Sequence, residues 1–191
     1  MGTTLKSLIR SAKVGSSNDS NYIESINQAF SNEIIILPQT KDENDIIYLD
    51  HTFYRSIFKK SRLTKMRFCN GCYDNSFFED CLFENCIFSN LNLHETIWVK
   101  CSFKDCVFID CSFIKGEISE TIFENCTFSN GSLSNCEFES CHFINTIFHK
   151  IIVAIATLYD SKFSNSEKSI EFEGPVYFHE MLDQIEKLYI D

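Results

Sequence analysis

Glycine and proline are scarce in this chain, with six Gly and two Pro among 191 residues. The glycines are scattered, so no glycine-rich loop is present that could hold a phosphate group. The HExxH and GxSxG patterns of zinc proteases and serine hydrolases are also absent. No apolar run reaches the roughly 18 residues of a membrane-spanning helix, and residues 1–15 contain no secretory apolar segment. We therefore expect a cytoplasmic protein without a nucleotide-binding loop or a common hydrolase site.

Large apolar residues recur at every fifth position, without exception, from Phe53 to Phe163. Most are preceded, two positions earlier, by a small residue, which is often cysteine, and the remaining positions are mainly polar. A five-residue step turns an α-helix by about 500°, which would scatter these side chains around the helix. On a flat strand an odd step alternates between the two faces. The chain must therefore bend once in every repeat, as in a solenoid.

The repeat, a small residue followed two positions later by Phe or Leu and often ending in Asn or Asp, resembles that of the pentapeptide-repeat proteins. It is visible in FENCIFSN and FKDCVFIDCSF and covers residues 46–165. The chain departs from the commonest family pattern by preferring Cys to Ala and Phe to Leu. The resemblance implies a mainly β fold, a right-handed quadrilateral β-helix of about six coils with four repeats in each coil.

In that geometry, residues twenty apart stack along the axis, about 4.8 Å from one another. Each buried Phe would contribute roughly 1.5–3 kcal/mol before the loss of chain entropy. The expected core columns contain aromatic rings and thiols: Phe68, Phe88, Phe108, Phe128 and Phe148; Phe83, Phe103, Phe123 and Phe143; and Cys86, Cys106 and Cys126.

Ten cysteines raise the question of disulfides and metal binding. Stacked cysteines about 4.8 Å apart with parallel Cβ vectors are too far apart for a disulfide, which needs about 3.8 Å between Cβ atoms. We expect most of them to be buried thiols that pack as small apolar groups. Cys69 and Cys72 form a lone CxxC at outward positions, which leaves a redox or zinc role open. No cofactor, metal site or catalytic residue is predicted, and a surface pair of His94 with Asp74 is interpreted as a weak salt bridge.

The two ends depart from the repeat and suggest caps around a central domain. Residues 1–45 form the predicted N-terminal cap, with a helix from Asn21 to Phe30 and a strand-like run from Ile34 to Leu37. Residues 46–165 form the predicted β-helix. Residues 166–191 form the C-terminal segment, with a helix predicted from Val176 to Ile190 after Gly174-Pro175.

The last full coil places several apolar residues at outward positions, so that something must cover them. Either the terminal helix folds back over them, or a second subunit covers them, or both do. Related family members form homodimers through their C-terminal ends, so the resemblance implies the same here. The candidate dimer interface comprises Ile152, Ile155, Tyr159, Phe178, Leu182 and Ile185.

Charge is distributed unevenly along the chain, whose net charge is −10. Residues 51–70 contain no acid and hold Arg55, Lys59, Lys60, Arg62, Lys65 and Arg67. Acids dominate residues 71–146. On one wall of the expected prism they form a candidate interaction face: Glu79, Asp80, Glu117, Glu120, Glu137 and Glu139.

Three functional hypotheses follow, and the first is a non-catalytic protein-interaction module whose partner the sequence does not name. The second comes from the resemblance, because acidic family members imitate DNA and protect DNA gyrase, a type II topoisomerase. The acidic wall is roughly 17 Å long, and B-DNA carries one charge per about 1.7 Å of its length. The number of acids along the wall is comparable with this charge density and therefore permits mimicry. The basic first coil interrupts the acidic surface.

The third hypothesis is nucleic-acid binding by the basic first coil. The net negative charge of the chain and the inward-pointing aromatic residues oppose it.

Overall fold

The computed structural model describes residues 23–24, 29–31, 34–36, 48–165, 168–172 and 174–189. The chain winds into a β-solenoid of about five turns that ends in one short helix, α1 (Phe178–Tyr189). No helix within these ranges is long and apolar enough to cross a bilayer.

Three of the four walls are β-sheets. Face 1 contains, in spatial order, β2 (Ala29–Ser31), β5 (Ile57–Lys59), β8 (Phe77–Glu79), β11 (Ile97–Val99), β14 (Glu117–Ser119), β17 (Glu137–Glu139), β20 (Thr157–Tyr159) and β23 (Val176–Tyr177). Face 2 contains β3 (Ile34–Ile36), β6 (Arg62–Thr64), β9 (Leu82–Glu84), β12 (Ser102–Lys104), β15 (Ile122–Glu124), β18 (His142–Ile144), β21 (Ser161–Ser164) and β22 (Ser169–Phe172). Face 3 contains β1 (Ile23–Glu24), β4 (Tyr48–Thr52), β7 (Arg67–Cys69), β10 (Ile87–Ser89), β13 (Val107–Ile109), β16 (Thr127–Ser129) and β19 (Ile147–His149). Face 4 consists of single parallel bridges that join Cys72, Asn92, Ser112, Ser132 and Ile152.

The strands of successive coils pair in parallel with a register of twenty residues, as the repeat predicts. Phe88 pairs with Phe68 below and Phe108 above, and Phe103 pairs in the same way with Phe83 and Phe123. Four five-residue sides therefore complete one coil, which confirms the predicted four-sided β-helix.

Each side ends in a residue with positive φ, which produces the corner. These residues recur at every fifth position from Arg55 to Asp160, with φ between 46° and 59°. More than half of them are Asn or Asp, the non-glycine residues that adopt this conformation most easily. The Asn and Asp noted at the end of many repeats therefore allow the chain to turn.

The predicted aromatic columns are present in the core. Along face 3 the ring centroids of consecutive partners from Phe68 to Phe148 lie 4.8, 4.7, 4.4 and 5.2 Å apart, with nearly parallel planes. Along face 2 the rings from Phe83 to Phe163 stack at 4.9, 5.0, 5.0 and 4.5 Å. Rings on adjacent faces meet edge to face, as for Phe103 and Phe108 at 5.4 Å. Both arrangements are favourable for aromatic pairs.

The predicted N-terminal helix from Asn21 to Phe30 is wrong where the structure describes it, because Ile23–Glu24 and Ala29–Ser31 are strands. They extend the solenoid: Phe30 pairs with Phe58 and Ile23 with His51. The open edge of the first coil offers backbone hydrogen bonds, and these outweigh a local helical pattern. The strand-like run after Ile34 is confirmed as Ile34–Ile36, which pairs with β6.

The C-terminal segment covers two of the four walls. β22 pairs antiparallel with β21 on face 2, and β23 pairs antiparallel with β20 on face 1. The predicted terminal helix is confirmed, but it begins at Phe178 rather than Val176, because Val176 and Tyr177 belong to β23. The Phe178 ring packs against Phe138, Phe143, Phe148 and Phe163 and closes the end of the core.

Candidate interaction surface

The void inside the first coils of the rod has no room for a ligand. The void among Tyr73, Leu93, Trp98 and their neighbours measures about 10 Å³, roughly the space that one water molecule needs, and its lining is apolar. Side chains that contact other molecules must therefore lie on the outer walls or at the ends.

Face 1 brings together the acidic residues of the predicted interaction face. Glu117 is paired in register with Glu137, and Glu139 lies beside them on β17. Glu79 ends β8. Asp80 and Glu120 occupy positive-φ corners next to this wall. The twenty-residue register thus places all six candidate residues on one side of the rod.

Cations neutralise part of this acidic row. Lys59 lies 2.6 Å from Glu79, and this contact, mainly through its hydrogen bond, holds the pKa of Glu79 below its ordinary value. Lys100 lies 3.8 Å from Glu120. The negative charge of the wall is therefore weakened toward its N-terminal half.

Four of the six acids have no cation within 4.0 Å among the described residues: Asp80, Glu117, Glu137 and Glu139. All four side chains are exposed, although like charges directly opposite each other in a sheet, such as Glu117 and Glu137, are destabilising. A shallow groove beside them is lined by Glu137, Glu139, Thr157, Tyr159 and Pro175. The C-terminal half of face 1 therefore combines unneutralised acids with an exposed aromatic ring.

The basic first coil is partly neutralised in the same way. Arg62 pairs with Glu84 at 2.9 Å, Lys59 pairs with Glu79, and Arg55 lies over the Tyr54 ring at 5.0 Å. The remaining cations at the corners, Lys60 and Lys65, lie at either end of one side of the coil.

The residues of the candidate dimer interface separate into two groups. Ile152, Ile155 and Tyr159 are 62%, 64% and 44% exposed. Phe178 and Ile185 are buried in the core of their own chain, and Leu182 packs against that core. The helix thus covers the end of the core and leaves these apolar residues of the last coil open. Tyr177 is a further exposed residue at this end, although the sequence predicts it inside a helix. The sequence offers one indication of the strand, a half-buried Val176 followed by the exposed Tyr177.

The cysteines form no disulfide, and most are buried at the small inward position. Their thiols donate to backbone carbonyls of the coil below, as Cys106 does to Phe83 O (3.4 Å) and Cys126 to Phe103 O (3.5 Å). Burial raises the pKa of Cys111, Cys136 and Cys141 to about 12. Thiols of this kind are poor nucleophiles and poor metal ligands at neutral pH, so their role in the structure is packing.

The lone CxxC and the histidine pair differ from their predicted arrangement. Cys69, expected to face outward, is buried beneath the next coil, where Ser89 Oγ donates to its sulfur (3.2 Å). Asp74 accepts the backbone amide of His94 (3.1 Å), whereas the His94 ring contacts Ser112 Oγ (2.8 Å). In the described ranges no three His, Cys, Asp or Glu side chains are placed to hold a metal ion.

Tyr73 occupies a position that Phe holds in most columns, and its buried hydroxyl has no hydrogen-bond partner among the residues that the structure describes. An unsatisfied buried hydroxyl destabilises a protein by about 1–3 kcal/mol. We therefore expect Tyr73→Phe to raise the melting temperature by roughly 2–4 °C, the shift for about 1 kcal/mol in a chain of this size. Differential scanning calorimetry checks this, with Tyr54→Phe as the surface control. A lower melting temperature for Tyr73→Phe would show that the hydroxyl has a partner.

Comparison with known proteins agrees with the repeat geometry. The family model for pentapeptide repeats matches eight copies, over residues 86–125 and 121–152. Residues 86–152 of the chain are pentapeptide repeats. In the structure the same repeat geometry extends beyond the matched residues, since the corners begin at Arg55. No curated protein matches the sequence.

Several solved structures resemble this chain weakly. QnrB1 (R167E, trypsin-treated), a plasmid-mediated fluoroquinolone resistance protein, is 15% identical over 72% of this chain and 73% of its own, with a TM-score of 0.25. The pentapeptide-repeat protein Rfr23 from the cyanobacterium Cyanothece 51142 is 11% identical over 68% and 84%, with a TM-score of 0.26. A putative glycosyl hydrolase from Parabacteroides merdae is 6% identical over 90% and 93%, with a TM-score of 0.42. Similarities this low do not transfer a function.

Proposed function

We propose that this protein is a non-catalytic interaction module that binds a cytoplasmic protein partner through face 1. The observation that carries the proposal is the row of unneutralised carboxylates, Glu117, Glu137 and Glu139, beside the exposed Tyr159 in the described part of the chain. The core beneath them is filled with aromatic rings, which leaves the walls for recognition. Acids and an aromatic ring together suit a basic protein surface, by ion pairing and by cation–π contact.

A charge reversal on face 1 tests this proposal. We expect Glu117→Lys, Glu137→Lys and Glu139→Lys together to abolish capture of a specific partner from the native host, while the melting temperature changes by only a few degrees. Reversing Glu95, Asp110 and Glu124 changes the net charge equally on other parts of the surface and should leave capture intact. If both triple variants retain the same partner, face 1 is not the recognition surface.

A topoisomerase such as DNA gyrase is the second candidate, which the acidic wall favours and its interruption by Lys59 and Lys100 disfavours. A protein that imitates DNA should alter gyrase supercoiling at a near-stoichiometric ratio, and the triple reversal on face 1 should lose that effect. Supercoiling that a large molar excess of the wild-type protein leaves unchanged excludes this candidate.

We further propose that the module is a homodimer joined at the C-terminal end of the rod. Support comes from Ile152 and Ile155, which the terminal helix leaves 62% and 64% exposed in the last coil. Large apolar side chains exposed at one end of a subunit are a candidate contact for a second copy.

A further inference from the structure

Face 4 carries a polar cluster that neither the core nor face 1 uses. Asp74, His94 and Ser112 lie in three successive coils of this wall, and all three residues are half-buried. The Asp74 Oδ1 atom accepts the backbone amide of His94 (3.1 Å), and the His94 Nε2 atom lies 2.8 Å from Ser112 Oγ. The carboxylate therefore holds the backbone of the histidine, and the histidine ring contacts the hydroxyl.

The backbone of the solenoid fixes this arrangement. Asn75 donates its amide to His94 O (2.9 Å). Ser112 donates its amide to Leu91 O (2.9 Å) and forms a parallel bridge with Asn92. A histidine nitrogen roughly 2.6–3.2 Å from a hydroxyl oxygen is at the distance from which it can remove the hydroxyl proton. A serine whose proton an adjacent base can take is an activated nucleophile.

A second histidine–serine pair, on face 2, has different electrostatic surroundings. His142 Nε2 lies 2.9 Å from Ser164 Oγ. The residues in register with His142 are Ile122 below and Lys162 above. Although Glu171 lies 2.6 Å from Lys162, burial and then the Lys162 charge lower the pKa of His142. Because proton transfer from a serine leaves the imidazole positively charged, a neighbouring carboxylate favours it and a neighbouring cation opposes it.

Cys72 is a second nucleophilic side chain beside the cluster, two residues before Asp74. Burial, and then the side-chain contact with Asp74, raise the pKa of the Cys72 thiol. The thiol is therefore less easily converted to the reactive thiolate. Ser112, whose hydroxyl contacts an imidazole, is the better nucleophile of the two.

The charges around the cluster favour a neutral reaction partner. Asp74 and Glu95 are carboxylates of this part of the rod, and the nearby cation Lys115 is paired with Glu95 (3.2 Å). These carboxylates repel an anionic phosphoryl donor but not an uncharged ester. Asn92 lies one coil below Ser112 in the same column, and its side-chain amide can donate a hydrogen bond to an oxyanion formed at the hydroxyl.

We propose that Ser112 is an acylation site for an activated ester or thioester, with His94 as the general base and Asp74 as the charge that favours its protonation. The Ser112 hydroxyl proton moves to His94 Nε2 while a bond forms between Oγ and the acyl carbon. The bond from that carbon to the leaving oxygen or sulfur then breaks, and the leaving group takes the proton from His94. The product is an acylated serine on face 4, a covalent modification that is separate from partner binding through face 1.

Incubation of the full chain with p-nitrophenyl acetate, a neutral activated ester, tests this proposal. Peptide mass spectrometry identifies the acetylated side chains and measures the rate at each. Ser164 is the matched control, since it is also half-buried and in contact with a histidine nitrogen. We expect Ser112 to be acetylated at least about tenfold faster than Ser164, because general-base catalysis contributes roughly 100-fold or more where it operates. Equal rates at the two serines, or an acetyl group on Cys72 instead of Ser112, overturn the proposal.

Two substitutions test the roles of the base and of the carboxylate. His94→Gln removes the base, whereas Asp74→Asn removes the charge and keeps an oxygen that can accept the His94 amide. We expect each variant to acetylate Ser112 at least about tenfold more slowly than the wild type, with an unchanged circular dichroism spectrum. A rate that either substitution leaves unchanged in a folded variant overturns the proposal. If a variant fails to fold, the comparison of Ser112 with Ser164 in the wild type still decides.

Discussion

Phe108→Ala is expected to lower the free energy of unfolding by about 3–5 kcal/mol, the usual loss when a fully buried phenylalanine is truncated. The Phe108 ring lies between two others, 4.7 Å from Phe88 and 4.4 Å from Phe128, and is 1% exposed. Coils above and below enclose the site, so that the cavity cannot collapse without changing the twenty-residue register. Chemical denaturation monitored by circular dichroism measures the loss.

The neighbouring Ile109 provides the matched control, since it lies one residue away on the outer side of the same strand. Ile109→Ala should change the free energy of unfolding by less than about 1 kcal/mol. Equal losses for the two variants would contradict the assignment of one side chain to the core and the other to the wall.

Gly131→Ala is expected to destabilise the protein by about 2–3 kcal/mol through overpacking. A Cβ atom at this position would lie 2.4 Å from the carbonyl oxygen of Cys111 in the coil below. That oxygen already accepts the Ser132 amide (3.0 Å), so moving it away weakens the contact between the two coils. The expected fall in melting temperature is roughly 4–12 °C.

Gly116→Ala provides a graded comparison for Gly131→Ala. Its added Cβ would lie 2.9 Å from Phe113 O, within its own turn, so a smaller loss is expected. If the alanine at position 131 were tolerated better than that at 116, the close approach of adjacent coils at Gly131 would be refuted.

The fold could be predicted because burial dictates residue type in this architecture. A coil of four five-residue sides needs a large apolar residue every fifth position, so Phe88 and Phe108 reveal the period and the register together. The same register, applied to the outward positions, predicts the pairing of Glu117 with Glu137. The pairing of Glu79 with Lys59 could not be predicted, because it depends on how two long side chains are oriented on the wall.

The ends were harder to predict because local pattern and long-range pairing disagree there. Asn21 to Phe30 has a helical spacing of apolar residues, but Ala29–Ser31 forms backbone hydrogen bonds with the first coil instead. The predicted start of α1 was wrong by two residues for the same reason, since Val176 and Tyr177 pair with β20.

The most direct test of the coil geometry is a nuclear Overhauser measurement between the ring protons of Phe88 and Phe108 in the labelled protein. Stacked rings with centroids 4.7 Å apart should give strong cross-peaks despite the twenty residues between them. Absence of these cross-peaks, in a folded sample with both rings assigned, would contradict the twenty-residue coil on which the acidic wall depends.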